Sequence, residues 1–259
     1  MINAVFENIT DLILNYISEM DYTDYSNRDI SDFIDWLSLC GHIENISVSP
    51  DSSDESFLSC RPAYEYEMNR ADFVSQISCE LARFHFACSA LECIIRYFKI
   101  NSKKTNKGLG FSLATIYKEK NLLKHVPEKY FTLYALLLER FKHNSYYTKD
   151  LEDFYKKIDN DLIDESGYGI ILVYKLRNHF AHGSLSLSSQ FGDCNEDNKP
   201  DITLISLSSL IVLINIIFIL MLDPISDQSI IDPIFLDIPS GQKAKIFLEN
   251  IISNIRFHE

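Results

Sequence analysis

The sequence predicts an all-α protein, and three observations support this fold class. Apolar residues recur at spacings of three and four along several segments, which is the period of an amphipathic helix. The 259 residues include 8 glycines and 7 prolines, too few for the many turns of a β-sandwich or barrel. Hydrophobic residues make up 46% of the chain and charged residues 24%, a composition that excludes disordered and collagen-like proteins.

The first helices are predicted over residues 5–17 and 30–39, where apolar residues follow the helical period. The segment 47–55 that comes next is polar and contains proline and serine, which is typical of a connection between domains. We therefore expect a boundary near residue 65. It separates a small acidic, mainly helical N-terminal region, residues 1–65, from a helical bundle domain, residues 66–259.

The clearest helical pattern lies after this boundary. Its apolar seam has spacings of 4, 3, 4, 3, 4 and 3 and consists of Ile77, Leu81, Phe84, Cys88, Leu91, Ile95 and Phe98. A loop is predicted over 101–110 and a short helix near 113–123, and the next helix carries Tyr130, Tyr134, Leu137 and Phe141. A further helix ends near residue 183, and a last amphipathic helix is expected to begin at Ser240.

The segment 202–222 contains no charged residue and is long enough to span a bilayer. Its flanks are Asp201, Asp223 and Pro224, and they provide none of the Lys, Arg, Trp or Tyr residues that anchor membrane helices. Four polar residues within it, Ser206, Ser208, Ser209 and Asn215, suit a helix that packs inside a protein. We interpret the segment as the central helix of a bundle, with a membrane helix as the alternative.

The charge is distributed unevenly along the chain. Residues 1–60 contain twelve acidic residues and one basic residue, Arg28, in a protein whose net charge is −13. Residues 96–129 contain nine Lys and Arg residues against Glu119 and Glu128, a local net charge of +7. Because affinity for a phosphate backbone comes largely from Lys and Arg, this basic segment is a candidate polyanion-binding surface, with a solvated loop as the alternative.

Several classes of site are excluded by the motifs that the sequence lacks. It contains no P-loop motif, no G-x-G-x-x-G and no G-x-S-x-G. His85 lies three residues before Cys88, but neither has companions at zinc spacing, so a packing role is expected and no metal or cofactor. The six cysteines include no C-x-x-C pair, and the N-terminal residues lack a basic signal-peptide region, so we expect reduced thiols in a cytoplasmic protein.

The segment 174–183, YKLRNHFAHG, concentrates polar groups at the end of an apolar helix. Asn178 and His182 are four residues apart and share one face of the helix, and Arg177 lies beside Asn178 on the adjoining face. The three side chains can therefore converge on one anion, while Gly183 is suited to end the helix. A structural alternative is that Arg177 and His182 complement the helix dipole.

This segment resembles the R-N-x-x-x-H signature of the HEPN superfamily, and its extended form R-N-x-x-A-H-G is similar to the ApeA-like branch. The preceding long helix contains Ser89-Ala90-Leu91-Glu92, which resembles the A-L-E of the family's first long helix, and a very apolar helix follows the motif. The resemblance covers about residues 66–225 and implies an all-helical HEPN-like bundle. It does not extend to the acidic N-terminal residues.

The resemblance implies a metal-independent endoribonuclease, a toxin or phage-defence effector, that works as a homodimer with paired motifs across one cleft. Arg177 would then stabilise the charged phosphorane, His182 would transfer a proton, Asn178 would orient groups and Glu92 would hold Arg177. His179, on the opposite side of the helix, is expected to be a packing or interface residue. The RNA-binding residues would be those of the basic segment: Arg96, Lys99, Lys103, Lys104 and Lys107.

Alternatives to the ribonuclease remain open at this point. The first is a non-catalytic HEPN-fold subunit that binds or assembles a defence or toxin-antitoxin complex, and the second is a membrane-associated effector that uses residues 202–222. The acidic residues 1–60 would cover the RNA-binding surface as a phosphate mimic, dock an antitoxin or other regulatory protein, or act as a solubilising subdomain. A surface pair between Glu92 and Arg96 is the alternative to a contact between Glu92 and Arg177.

Overall fold

The computed structural model describes residues 2–19, 27–49, 60–100, 108–143, 145–182 and 202–222. Helices make up most of these ranges and no strand occurs in them, which confirms the all-α class. In chain order the α-helices are α1 Ile2–Glu19, α2 Arg28–His42, α3 Arg61–Tyr97, α4 Leu109–Glu119, α5 Glu128–His143, α6 Thr148–Asp159, α7 Tyr168–Ala181 and α8 Ile202–Met221. Three short 3₁₀ turns connect them at Leu122–His125, Ser145–Tyr147 and Glu165–Gly167.

Helix α8 forms the centre of the bundle. It packs against α1, α3, α5 and α7, and the side chains described from Leu204 to Leu220 are all buried. The stretch Ile202–Leu220 is long and apolar enough to cross a membrane, but 89% of its apolar window lies inside the protein. Its polar residues are also accommodated internally, since the hydroxyls of Ser208 and Ser209 donate to carbonyl oxygens one turn earlier. The environment of α8 is therefore that of a core helix.

The acidic N-terminal helices belong to the same apolar core as the rest of the bundle. Helix α2 packs along α3, α1 packs on α2 and α8, and the buried faces of both helices join one continuous cluster. The boundary expected near residue 65 lies within α3, which begins at Arg61. Of the predicted connection 47–55, residues 47–49 have no regular secondary structure and the rest lies outside the described residues.

A buried ion pair connects the N-terminal helices to the centre of the bundle. Arg83 on α3 is fully buried, and its guanidinium pairs with Glu80 one turn earlier. Arg83 Nη2 also donates to Asn3 Oδ1 at 2.9 Å and to the Ile43 carbonyl oxygen at 2.7 Å, so it reaches α1 and the end of α2. The Ser206 hydroxyl of α8 donates to Glu80 Oε2 at 2.7 Å. These bonds satisfy both charges inside the core, where an unpaired charge would be costly.

The seam predicted for α3 is confirmed, and two features of the fold differ from expectation. All seam residues are buried except Leu81, which is half-buried. Helix α6 was not predicted, and α4 begins at Leu109 rather than near residue 113. The helix expected from Ser240 and most of the loop predicted over 101–110 lie outside the described residues.

Replacement of Glu80 by glutamine tests the buried ion pair. It leaves the Arg83 charge without its counter-ion inside the core, so we expect the free energy of unfolding to fall by about 3 kcal/mol, measured by urea denaturation. The matched control is Glu65→Gln on the same helix, which breaks the exposed Arg61–Glu65 pair and should change it by less than about 1 kcal/mol. Equal effects of the two substitutions would contradict a structural role for the buried pair.

Candidate functional site

The R-N-x-x-x-H motif lies at the carboxyl end of α7. The helix forms here because Ile170, Val173 and Leu176 present an apolar face, and all three are fully buried. The last helical residue is Ala181, and the backbone N–H of His182 donates to the Asn178 carbonyl oxygen at 3.0 Å. His182 therefore caps the helix, and Gly183 lies outside the described residues. Asn178 and His182 are both exposed to solvent.

Arg177 is held by a residue of α3. Its Nη2 donates to Glu92 Oε1 at 2.8 Å, and both side chains are only partly buried. Of the two contacts expected for Glu92, the structure has the one with Arg177, and Arg96 pairs with Asp29 instead. Rings of the same two helices also meet, since the centroids of Phe84 and Phe180 are 5.9 Å apart in an edge-on arrangement. Helix α3 thus supplies both packing and an ion pair to the motif.

His179 lies in a different cluster from Arg177. Its Nε2 pairs with Asp150 of α6 at 2.5 Å, and the Tyr146 hydroxyl lies 3.2 Å from its Nδ1. The imidazole also packs edge-on against the rings of Tyr146 and Tyr147. These contacts agree with the packing role expected for His179, and they attach the end of α7 to the start of α6.

A cavity of about 830 Å³ opens beside the motif, between α4, α6 and α7. Arg177, Asn178 and Glu92 contribute to its wall, whereas His182 does not. The other lining residues are Gly108, Leu109, Gly110, Phe111, Asp153, Lys156, Lys157, Asn160, Leu162, Ile171, Tyr174 and Lys175. Two of the three motif residues proposed from the sequence therefore share one concave, partly cationic surface.

Lysines and aspartates of α6 and α7 form a charge network along this wall. Lys175 Nζ lies 2.7 Å from Asp153 Oδ2 and 3.2 Å from Asp150 Oδ1, and Lys157 also pairs with Asp153. Partial burial works to raise the pKa of Asp153, but the hydrogen bonds from Lys157 and Lys175 outweigh it, so this pKa lies below its ordinary value of 3.8. Burial lowers the pKa of Lys175, and its bonds to Asp153 and Asp150 raise it above 10.5 overall.

Of the RNA-binding residues expected from the basic segment, the structure describes Arg96 and Lys99. Arg96 is bound to the acidic helix α2, since its Nε donates to Asp29 Oδ1 at 2.9 Å, and its Nη2 also contacts the Cys93 sulfur. Lys99 follows α3 and is exposed, with a positive φ of 50°. Lys103, Lys104 and Lys107 lie outside the described residues. One acidic residue of the N-terminal region thus contacts one of the predicted RNA-binding cations.

Sequence reasoning missed the three lysines that line the cavity, two of them because it did not predict α6. Lys156, Lys157 and Asn160 come from α6 and its end, and Lys175 precedes the motif by two residues on α7. The available signal was the spacing of Leu151, Phe154 and Ile158, which is 3 and 4 and marks an apolar helix face.

Cys88 is buried in the core, as expected, whereas His85 lies at the surface. Burial raises the pKa of the Cys88 thiol strongly, which keeps it in the neutral form inside the core. His85 is exposed, and its ring centroid lies 6.3 Å from that of Trp36 on α2. Among the described residues, no group of three His, Cys, Asp or Glu residues is arranged to hold a metal ion.

No family model, no curated protein and no solved structure matches the chain. The case for a function therefore depends on the motif, on its contact with Glu92 and on the cavity beside it.

Asp153→Asn tests the charge network through its pH dependence. A carboxyl group whose pKa is lower in the folded state than in the unfolded state stabilises the fold above its unfolded pKa. That stability is lost as the pH falls through the folded pKa, here below about 3.8. We expect the variant to have a lower Tm at pH 6 and a smaller further loss of Tm between pH 5 and pH 3 than the wild type. The control is Asp159→Asn, an exposed position on the same helix; an unchanged acid slope in Asp153→Asn would contradict the prediction.

Proposed function

We propose that the protein is a metal-independent endoribonuclease of the HEPN type, with its site built from Arg177, Asn178 and His182 and supported by Glu92. The observation that carries this proposal is the 2.8 Å bond between Glu92 of α3 and Arg177 of α7, because it joins the two sequence segments that resemble the family. Asn178 and His182 are exposed near this ion pair, so a substrate phosphate can reach them. A toxin or phage-defence role in the cytoplasm is part of the proposal.

For the proposed cleavage of RNA, the protein has to supply charge stabilisation and proton transfer. In the proposed reaction the ribose 2'-hydroxyl attacks the adjacent phosphorus and the bond to the 5'-oxygen breaks. The products are a 2',3'-cyclic phosphate and a 5'-hydroxyl. The nucleophile belongs to the substrate, so no metal-bound water is required.

Arg177 is suited to stabilise the phosphorane. A guanidinium group stays charged and presents a planar fork that matches two phosphate oxygens. It carries five N–H donors, so the bond to Glu92 leaves donors for the substrate. Glu92 limits the conformations of a long side chain, which lowers the entropy lost when the phosphate binds.

His182 is suited to transfer the proton. An imidazole can donate or accept a proton near neutral pH, and a positioned one typically contributes 10²- to 10⁴-fold. As the capping residue of α7 it follows a rigid helix whose face is buried in the core. The Asn178 side chain, one turn earlier, is placed to orient the phosphate or the imidazole.

A homodimer is part of the proposal because one chain supplies one Arg177 and one His182. In a two-fold symmetric dimer the exposed ends of two α7 helices would face each other and double both groups in one cleft. His182 does not line the cavity formed with Arg177 in the single chain, so a second chain offers a direct way to complete the site.

The absence of His182 from the wall of the cavity favours one alternative function. A HEPN-fold subunit that binds or assembles a defence or toxin-antitoxin complex needs Arg177 and Asn178 for contact but needs no positioned His182. The two functions differ in RNA cleavage, which the following experiment measures.

Arg177→Ala should abolish cleavage of total RNA in EDTA, because it removes charge stabilisation worth several kcal/mol. His182→Ala should lose roughly 10²- to 10⁴-fold in rate, and Asn178→Ala should lose less. Wild-type products should carry 2',3'-cyclic phosphates, and DNA and 2'-O-methyl RNA should resist cleavage.

Two matched variants control for effects on folding. Arg61→Ala breaks an Arg–Glu pair of the same 2.8 Å length elsewhere on the surface, and His143→Ala removes an exposed histidine from the end of α5. Both should cleave like the wild type. A strict Mg²⁺ requirement, 5'-phosphate products, or an Arg177→Ala, His182→Ala double variant with full activity would overturn the nuclease and favour the binding subunit.

The dimer is tested by a cysteine placed beside the motif. Ala181 is exposed, and a two-fold axis at the ends of the α7 helices would bring two copies of Ala181→Cys close enough for a disulfide. The background carries Cys60→Ser, because Cys60 is exposed, and Cys194→Ser. We expect a covalent dimer on mild oxidation, and none from the control Ala135→Cys on α5. Sedimentation that gives a monomer at micromolar concentration with cleavage intact would contradict the dimer.

A further inference from the structure

The cavity beside Arg177 combines three kinds of surface that the proposed cleavage chemistry does not require. Its lining includes apolar side chains, cationic side chains and carboxamide groups. A volume of about 830 Å³ lies within the range of sites that enclose small organic ligands, and it is far larger than a single phosphate needs. The cavity is therefore suited to more than the bond that is broken.

The apolar wall is formed by Phe111, Leu162 and the ring of Tyr174. Leu162 is 39% exposed, which is high for a leucine, so its side chain is accessible to a ligand. Gly110 packs so closely on Tyr174 that a Cβ at this position would lie 2.8 Å from the Tyr174 Cβ, so the glycine lets the ring sit at the wall. Flat, apolar surfaces of this kind bind nucleobases by stacking and van der Waals contact.

Tyr174 is a largely buried part of the apolar wall. Tyr174 is only 9% exposed, and its hydroxyl has no hydrogen-bond partner among the described residues. The side chain lies near Glu92 and Arg177, whose charges act on its pKa, although burial is the main cause of its strong rise. The hydroxyl oxygen is itself buried, so a ligand in the cavity would contact the Tyr174 ring rather than this hydroxyl.

The polar side of the cavity is cationic and also carries amides. Lys157 and Lys175 are held by Asp153, whereas Lys156 is exposed and has no ion pair with a described residue. Asn160 and Asn178 add carboxamides, each of which can both donate and accept hydrogen bonds as the edges of nucleobases require.

We propose that this cavity is a nucleotide-binding subsite, which takes the base against Phe111, Leu162 and Tyr174 and the phosphate between Lys156 and Arg177. The proposal rests on the proposed function in one respect, namely that the bound nucleotide belongs to the RNA strand that Arg177 holds. An apolar ligand would leave the lysines without a role, and a free phosphate would leave the apolar wall without one. A nucleotide accounts for both, whether it is free or part of a strand.

The test measures binding separately from cleavage. The probes are a fluorescent eight-nucleotide 2'-O-methyl RNA, which lacks the attacking hydroxyl, and the four nucleoside monophosphates as competitors. Lys156→Glu should weaken RNA binding about tenfold, and Lys149→Glu, the same charge reversal on the same helix away from the cavity, should weaken it less than about threefold. Leu162→Ala should weaken binding about fivefold, whereas the similarly exposed Leu123→Ala should not. Circular dichroism verifies that each variant is folded.

The outcomes separate this proposal from the proposed function. Weaker binding of RNA in Lys156→Glu and Leu162→Ala, with the surface control His143→Ala binding like the wild type, supports the subsite with RNA as its source. Weaker binding of the monophosphates in a protein that does not cleave RNA supports a site for free nucleotides and overturns the nuclease. If the wild type cleaves RNA and both cavity variants bind the probes as well as it does, the subsite is overturned and the nuclease is not. A wild type that binds neither probe also overturns the subsite.

Discussion

Helix α8 is buried on every side, and this burial determines how the other helices are arranged. Its residues Ile202–Met221 contain no charge, so no face of the helix is suited to water. The chain satisfies this requirement by packing α1, α3, α5 and α7 around it. The N-terminal helices are therefore part of the core in spite of their acidic composition. The buried carboxylate of Glu80 accepts a hydrogen bond from Ser206 of α8, and Arg83 neutralises its charge.

The position of the candidate site follows from this packing. Helices α3 and α7 both lie against α8, and side chains of the two helices meet at the Phe84–Phe180 ring pair and at Glu92 and Arg177. Glu92 and Arg177 form an ion pair that lies half in solvent. Exposed ion pairs contribute little to stability, so this one is better explained by the orientation it gives Arg177 than by the energy it adds. On its other side α7 is held to α6 by the His179–Asp150 and Lys175–Asp153 pairs, which fix the end of the helix from two directions.

The helix pattern and the motif could be predicted from the sequence, and the cavity could not. Residues such as Ile77, Leu91 and Ile170 follow the helical period because each helix buries one face, and that signal is local. The contact of Glu92 with Arg177 came from a family resemblance, since 85 residues separate the two and spacing alone carries no information on such a pair. Helix α6 is short and strongly charged, so its three apolar residues gave a weak signal, and with it Lys156, Lys157 and Asn160 were missed. The boundary near residue 65 was inferred from composition, but composition does not report that Phe33 and Leu37 are fully buried in the common core.

The net charge of −13 does not oppose an anionic ligand at this site. At physiological ionic strength the Debye length is about 8 Å, so exposed charges farther away than this are largely screened and the residues that line the cavity decide its potential. Four of them, Lys156, Lys157, Lys175 and Arg177, are cationic, against the two carboxylates Asp153 and Glu92. Both carboxylates are engaged with these cations, so they position the positive groups while leaving an excess of positive charge at the wall. The acidic N-terminal helices also act over short distances. Asp29 neutralises Arg96 by direct contact. Screening limits the effect of the other exposed acidic residues on the potential of the cavity.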